Sequence, residues 1–243
     1  MNKDEKDSNI SPNIGNYWRR KISVVIPTRK LRNDFITMKI LEKLKANLKD
    51  NLEVIIRRDK GVSRARNAGV MEAKGDIICF LEDDISFNER ELLSLLKSYR
   101  EGTVVTADFS IPDRPMIGRV TIISKKDFVL VGGFDEDIRF GGEGADFILR
   151  SMQNGIKWKP VKINLKHLSR PYSLKIEMIR AFYETAVLLK WKSKYMPTTS
   201  KLIKFWIKSH KFPSLASFIL FLSRFASFYY HALIRNFSRQ LRK

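Results

Sequence analysis

Three consecutive acidic residues, Glu82, Asp83 and Asp84, directly follow the apolar run Ile77–Leu81. Such a run is typical of a buried β-strand, so the sequence places three mutually repelling carboxylates at a strand end. Hard divalent cations such as Mg²⁺ and Mn²⁺ take oxygen ligands, and Mg²⁺ often binds only one or two protein carboxylates together with substrate phosphates. The acidic triplet 82–84 therefore predicts a metal site.

The triplet has an alternative explanation, because a helical pattern follows at 89–100. Acidic residues near a helix start are favoured by the helix dipole. That explanation accounts for one acid, but three acids ahead of the intervening segment 85–88 are more than a helix start needs. We favour the metal interpretation.

A second acidic segment lies between the glycine pairs 132–133 and 141–142. Paired glycines permit tight backbone turns close to a ligand. Glu143 and Asp146 follow the second pair and stand three positions apart, so that on a helix they can share a face. The alternative is that both acids merely stabilise a helix N-terminus.

The elements that must position these acids alternate between strand and helix. Apolar strand patterns occupy 21–27, 52–56 and 76–81, and helical spacing occupies 34–48 and 63–74, where Ser63 is predicted to cap the second helix. Repeated strand and helix with continuous apolar strands predicts a parallel sheet covered on both faces. Ligands bind beyond the carboxyl ends of such strands, which is where the acidic triplet lies.

Three segments in this order carry a family resemblance: KISVVIPT (21–28), SRARNAGVMEAKGDIICFLEDD (63–84) and GGFDEDIRFGGEGADFILRSMQNG (132–155). They resemble the family 2 inverting glycosyltransferases of GT-A fold over a stretch from about Lys21 to about Leu168. The resemblance implies an α/β fold with a Rossmann-like, mostly parallel sheet and helices on both faces. It also implies a metal-dependent enzyme that uses a UDP- or GDP-linked sugar donor.

The resemblance assigns metal and nucleotide-sugar contacts to individual residues. Glu82 and Asp84 become the outer pair of the acidic motif that holds Mg²⁺ or Mn²⁺ against the donor diphosphate, and His167 approaches the metal or is merely structural. At the second strand the family often has VDDGS, where this chain has IIRRDKG with a single acid. Six residues are implied to contact the nucleotide sugar: Pro27, Thr28, Asp59, Arg66, Asn67 and Asp83.

The same family places a general base in the second acidic segment. Its usual Glu-Asp pair takes the proton from the acceptor hydroxyl, but here Glu143 is followed by Gly144. Glu143 and Asp146 both remain as catalytic candidates. Because a phosphate acceptor is already anionic and needs no base, the lost aspartate favours a polyprenyl phosphate acceptor.

Charge is unevenly distributed along the 243 residues, whose formal net charge is +20. The segment 185–243 contains 12 Lys and Arg and no Asp or Glu, which leaves +8 for the rest of the chain. Such a basic segment attracts a polyanion, either nucleic acid or an anionic membrane surface. The single cysteine, Cys79, excludes an internal disulfide framework and fits a reducing environment.

The last part of the basic segment has an amphipathic helical pattern. A membrane-spanning helix would place Arg224 near its centre at a cost of about 2.5 to 3.5 kcal/mol, so a helix lying in the interface fits better. A packing helix or a dimer contact is the alternative. The polar face holds Ser217, Arg224, Ser227, His231, Arg235, Ser238 and Arg242, and the apolar face holds Leu215, Phe218, Ile219, Leu222, Phe225, Tyr229, Leu233 and Phe237.

These observations predict a flexible leader at 1–20, a GT-A domain at 21–172 and a basic helical, membrane-associating extension at 173–243. The enzyme would bind peripherally at the cytoplasmic face of the membrane and transfer one sugar, with inversion, to a lipid-linked glycan or polyprenyl phosphate. The alternatives are a nucleic-acid-binding module and a metal-dependent nucleotidyltransferase. We expect no nucleic-acid partner, because the basic residues cluster in a segment rich in Phe and Leu.

Overall fold

The computed structural model describes residues 20–31, 36–48, 51–108, 119–138, 141–168 and 173–191, together with 219, 222–223, 225–227 and 229–230. The predicted leader, except Arg20, and most of the basic segment therefore lie outside the described residues. The elements, in chain order, are β1 Ile22–Pro27, α1 Ile36–Leu48, β2 Leu52–Arg57, α2 Val62–Glu72, β3 Ile77–Leu81, β4 Ile85–Phe87, α3 Glu89–Ser98, β5 Thr103–Asp108, β6 Val120–Ser124, α4 Lys125–Val131, α5 Glu143–Gln153, β7 Lys157–Lys162, β8 Leu165–His167 and α6 Leu174–Lys190.

A six-stranded sheet in the order β2-β1-β3-β6-β5-β7 forms the centre of the domain. β1 pairs in parallel with β2 and β3, and β5 pairs in parallel with β7. β6 runs antiparallel between β3 and β5. A separate two-stranded sheet joins β4 to β8. The predicted α/β fold with a mostly parallel sheet is confirmed.

Helices cover both faces of this sheet, as predicted. Along β1, Val24 and Ile26 belong to one core cluster and Val25 to another, because successive strand side chains point to opposite faces. The first cluster includes leucines of α1 and α3, and the second includes aromatic and aliphatic residues of α4 and α5. At Gly69 of α2, a Cβ atom would lie only 2.3 Å from a methyl group of Val25, so glycine lets this helix lie close on β1.

α2 begins differently from the prediction. Gly61, with φ 109°, occupies the N-cap position and makes no side-chain capping hydrogen bond. Ser63 lies inside the first turn, and its side chain is buried. The prediction that Ser63 caps the helix is wrong, because the turn at Gly61 starts the helix one residue earlier than the apolar spacing indicates.

The first part of the segment 173–243, which was predicted to be helical, forms α6. It packs on α5: Val187 and Trp191 share a buried apolar cluster with Leu149 and Ile138. Within the ranges described above, no helix is long and apolar enough to cross a membrane.

Candidate active site

The carboxyl ends of β1, β2 and β3 meet at one edge of the sheet, because these strands run parallel. The acidic triplet forms the turn between β3 and β4 at this edge. The Thr28 hydroxyl, just after β1, donates a hydrogen bond to the Asp83 carboxylate. Lys30 Nζ lies 3.4 Å from Asp83 Oδ2 and donates to the Asp83 carbonyl at 3.2 Å. The structure thus brings together Thr28 and Asp83, two residues predicted from distant segments.

Glu82 forms an ion pair at the same edge. Arg119 Nη1 lies 2.5 Å from Glu82 Oε2, and both side chains are half-buried. Sequence reasoning missed Arg119, because no local motif marks it. It reaches the triplet through antiparallel pairing, which sets Leu81 opposite Val120 at the start of β6. A cationic side chain therefore offsets part of the charge that the sequence concentrates here.

The turn that carries the triplet is fixed by main-chain contacts. The Thr37 hydroxyl of α1 donates to the Glu82 carbonyl at 2.9 Å. The Leu168 amide donates to the Asp84 carbonyl at 2.8 Å. β4 separates the turn from α3, whose first turn is capped instead by the side chain of Asn88. The explanation of the triplet as the start of α3 is therefore wrong.

His167, predicted as a metal neighbour, ends β8, and its main chain pairs with Ile85 directly after the triplet. Its side chain lies outside the described residues. Across the described ranges, no group of three or more His, Cys, Asp and Glu side chains is arranged to hold a metal ion. Metal binding by Glu82, Asp84 and His167 stays a prediction.

At the end of β2, arginine side chains pair with the nearby acids. Arg57 binds both oxygens of Asp59, with Nε and Nη2 at 2.9 and 3.0 Å, and also contacts Glu72 at 3.0 Å. Hydrogen bonds from Arg57 hold the pKa of Asp59 below its ordinary value. Arg58 Nε donates to the Lys30 carbonyl at 2.8 Å, which ties β2 to the segment after β1. Asp59, predicted to contact the nucleotide, is thus engaged by Arg57.

α2 holds the glycine-flanked acidic loop 132–138. Asn67 Nδ2 donates to the Phe134 carbonyl at 2.9 Å, and the Phe134 amide donates back to Asn67 Oδ1 at 2.8 Å. Arg64 and Asn67 both contact Glu136 at 3.0 Å. Gly133 has φ 67°, and a Cβ there would lie 2.9 Å from Asn67 Oδ1, so glycine allows this close contact. Asn67, predicted to line the nucleotide pocket, makes these contacts to the loop.

Arg66, on the same helix, contacts Glu143 at the start of α5. Its Nη1 lies 3.3 Å from Glu143 Oε1, and its guanidinium group lies 5.1 Å from the Phe134 ring centre. Arg66 is only 4% exposed. Among the described residues, the other Glu143 oxygen, Oε2, is buried and has no hydrogen-bond partner. One Glu143 oxygen is therefore anchored by Arg66, while the other is buried without a hydrogen-bond partner among the described residues.

Asp146 has entirely different surroundings, although it lies one turn further along α5. It is fully buried and accepts hydrogen bonds from Arg150 Nε at 2.7 Å, Lys190 Nζ at 2.8 Å and Trp191 Nε1 at 3.0 Å. Burial alone would raise the Asp146 pKa, but these donors outweigh it and hold the pKa below its ordinary value. Asp146 thus joins α5 to α6. The sequence carried no signal for Lys190 and Trp191 as its partners.

The glycosyl transferase family 2 model matches residues 36–147, a segment that contains the acidic triplet, the Arg66 helix and Glu143. Over these residues, less than half of the chain, the protein is similar to glycosyl transferase family 2. The resemblance to family 2 glycosyltransferases of GT-A fold, and the prediction that the chain is a glycosyltransferase, are confirmed, whereas inversion stays a prediction. A comparison with curated protein sequences finds no match.

Solved GT-A structures resemble this chain in fold. The mannosyltransferase PcManGT from Pyrobaculum calidifontis, solved with GDP-Man and Mn²⁺, has a TM-score of 0.55 at 13% identity and covers 88% of this chain and 76% of its own. The catalytic domain of Drosophila β1,4-galactosyltransferase 7, solved with xylobiose, has a TM-score of 0.51 at 13% identity and covers 62% and 71%. At these identities the likeness shows the GT-A fold alone.

Proposed function

We propose that this family 2 glycosyltransferase moves one sugar, with inversion, from a nucleotide-sugar donor to a membrane-borne acceptor in a metal-dependent reaction. The observation that carries the proposal is the Glu143 carboxylate, with Oε1 held by buried Arg66 and Oε2 without a described hydrogen-bond partner. A general base in glycosyl transfer must be held in a fixed orientation, with one oxygen within hydrogen-bond reach of the proton that it takes.

The donor site would be the edge where Thr28, Asp83 and the cationic side chains Lys30 and Arg119 meet. Cations beside a strand edge suit the diphosphate of a UDP- or GDP-linked sugar. PcManGT, which shares the fold, was solved with GDP-Man and Mn²⁺, in accord with such a donor.

Glu82 and Asp84, the outer acids of the triplet, would hold Mg²⁺ or Mn²⁺. They supply hard oxygen donors, and an ion bound to a diphosphate needs only one or two protein carboxylates. The metal, when bound, would supply a Lewis acid that stabilises the charge developing on the leaving diphosphate.

Glu143, as the candidate base, suits an acceptor that reacts through a hydroxyl group. Its Oε2 would take the proton of an acceptor hydroxyl, whose oxygen attacks the anomeric carbon as the bond to the diphosphate breaks. Attack from the side opposite the leaving group inverts the configuration. Arg66 keeps the carboxylate oriented through Oε1. A lipid phosphate acceptor, already anionic, would need no base.

A membrane-borne acceptor is favoured by the charge of the chain. The 12 Lys and Arg of segment 185–243, with no acid, would hold the enzyme at an anionic membrane surface, peripherally and on the cytoplasmic face. Lipid-linked glycan and polyprenyl phosphate are the acceptors available there.

The donor side of the proposal is tested by replacing Asp84. We expect wild-type protein to bind a UDP- or GDP-linked sugar only with Mn²⁺ or Mg²⁺, and Asp84→Ala to weaken that binding by about tenfold or more. The measurement is titration calorimetry with and without EDTA. Asp76→Ala is the matched control, because Asp76 is exposed and precedes the opposite end of β3. Equal wild-type affinity in EDTA would contradict the proposal.

A further inference from the structure

The described residues between 219 and 230 are helical and pack on α6 through serines. Ser223 Oγ donates to the Met178 carbonyl at 2.7 Å, and Ser227 Oγ donates to the Phe182 carbonyl at 2.8 Å. Ser227 is fully buried. Both the donors and the acceptors are four residues apart, so the contact continues along one face of each helix. Two serines of the segment therefore face α6, together with Tyr230, whose ring centre lies 6.1 Å from that of Phe182.

Three apolar residues of the same segment, Leu222, Phe225 and Tyr229, are exposed. Leu222 is 46% exposed, Phe225 49% and Tyr229 56%. Their spacing of three and four residues places them on one helix face, and the rings of Phe225 and Tyr229 lie 4.9 Å apart. A helix of a water-soluble domain normally turns such a face toward the core. Here Leu222, Phe225 and Tyr229 remain about half exposed, which water does not favour.

The basic composition of the sequence that carries this face indicates which partner would cover it. The face lies within segment 185–243, which has 12 Lys and Arg and no acidic residue. A second protein surface would have to supply both an apolar contact and many acids, whereas an anionic bilayer supplies acyl chains and phosphates together. Tyrosine and phenylalanine side chains are suited to the boundary between headgroups and acyl chains.

We propose that Leu222, Phe225 and Tyr229 form a membrane-inserting face that enters the interfacial layer of an anionic bilayer. This inference rests on the proposed membrane-borne acceptor and identifies the surface that meets the membrane. The serines bind the segment that carries this face to α6, and α6 is bound to α5 through Lys190 and Asp146. Because Glu143 begins α5, a continuous set of packed helices connects the bilayer contact to the base.

The test is flotation of the full chain with lipid vesicles. We compare wild type, the double variant Phe225→Asp with Tyr229→Asp, and the control Met71→Asp with Leu130→Asp. The control makes the same chemical change at exposed apolar residues of α2 and α4. Vesicles contain phosphatidylcholine with phosphatidylglycerol, or phosphatidylcholine alone.

We expect wild type and control to float with the phosphatidylglycerol vesicles, and the Phe225 and Tyr229 variant to lose about tenfold or more of its vesicle partition coefficient. Unchanged flotation of that variant would overturn the inference. A wild-type dimer that becomes a monomer in that variant would also overturn it, since the face would then join two copies of the chain.

Manganese-dependent binding of the nucleotide sugar is measured on all three proteins. Retained binding in the Phe225 and Tyr229 variant shows that its domain is folded, so a flotation loss then reports on the face itself. If wild type binds no nucleotide sugar, the proposed function fails, while the flotation result still decides the membrane-inserting face.

Discussion

A carboxylate can act as a general base when one oxygen is oriented and the other can accept a proton. Glu143 meets this condition, because Arg66 engages only Oε1. Asp146 does not, since Lys190 and Trp191 donate to its Oδ1 and Arg150 donates to its Oδ2. The glycine at 144, which replaces the usual aspartate of the family, thus leaves Glu143 as the acid better suited to catalysis.

The substitution Glu143→Gln tests this assignment. The amide keeps the shape of the side chain but cannot take a proton, so we expect transfer to a sugar hydroxyl to fall about 100-fold. The donor affinity should change little. The measurement is the initial rate with hydroxyl acceptors and with a polyprenyl phosphate. A rate that stays unchanged with the lipid phosphate would show only that this acceptor needs no base, whereas an unchanged rate with hydroxyl acceptors would contradict the assignment.

At the scale of elements, the contact between α5 and α6 determines what belongs to the catalytic domain. α6 falls in the segment predicted as an extension, yet Lys190 and Trp191 bind the buried Asp146 of α5. Arg150, which also binds Asp146, donates to the carbonyls of Val131 and Gly133 at the start of the acidic loop. One buried carboxylate thus connects α5, α6 and the loop that α2 holds.

Replacing Asp146 should therefore destabilise the fold. We expect Asp146→Asn to lower the free energy of unfolding by about 2 to 4 kcal/mol near neutral pH, because Arg150, Lys190 and the buried Trp191 indole lose their anionic acceptor. Since the folded-state pKa of Asp146 lies below its ordinary value, the wild-type advantage is present above about pH 4 and is lost as pH falls through that lowered pKa.

The measurement is urea denaturation of both proteins at neutral and acid pH. Asp137→Asn, at an exposed position of the acidic loop, is the control and should behave as wild type. An equal loss of stability at neutral and acid pH would show that the Asp146 charge is not responsible.

In the molecule as a whole, the excess positive charge and the candidate site acids occupy different parts of the chain. Positive charge concentrates after residue 184, whereas the acidic triplet and Glu143 lie in the family 2 segment 36–147. The two parts would meet different partners, an anionic membrane and a nucleotide sugar. Separate contacts would allow a membrane to concentrate the enzyme near the proposed acceptor without altering the donor site.

Deleting residues 213–243 tests this separation. The cut leaves α6 in place, which matters because Lys190 and Trp191 bind Asp146. We expect nucleotide-sugar affinity and transfer to a water-soluble acceptor to persist, while transfer to a vesicle-borne acceptor falls about tenfold or more. Assays with both acceptors measure the difference. Equal losses with the two acceptors would place these residues in the catalytic domain itself.

Local patterns in the sequence were sufficient to predict many of the strands and helices of this protein. Apolar runs and helical spacing predicted β1, β2, β3 and α1, because the alternation of apolar residues reflects which faces are buried. The position of the acidic triplet after β3 followed from the same patterns. The three segments 21–28, 63–84 and 132–155 indicated the resemblance to family 2. Thr28 and Asp83 were predicted as neighbours of one ligand, and they are hydrogen-bonded to each other.

Only the tertiary structure decided how the acids differ. The pairing of Arg119 with Glu82 depends on the antiparallel insertion of β6 beside β3. The burial of Asp146 depends on α6, which begins 28 residues later, and the orientation of Glu143 depends on Arg66, 77 residues earlier in the chain. Sequence spacing shows which residues share an element, but the partners of a charged side chain are chosen by strand order and helix packing across long separations.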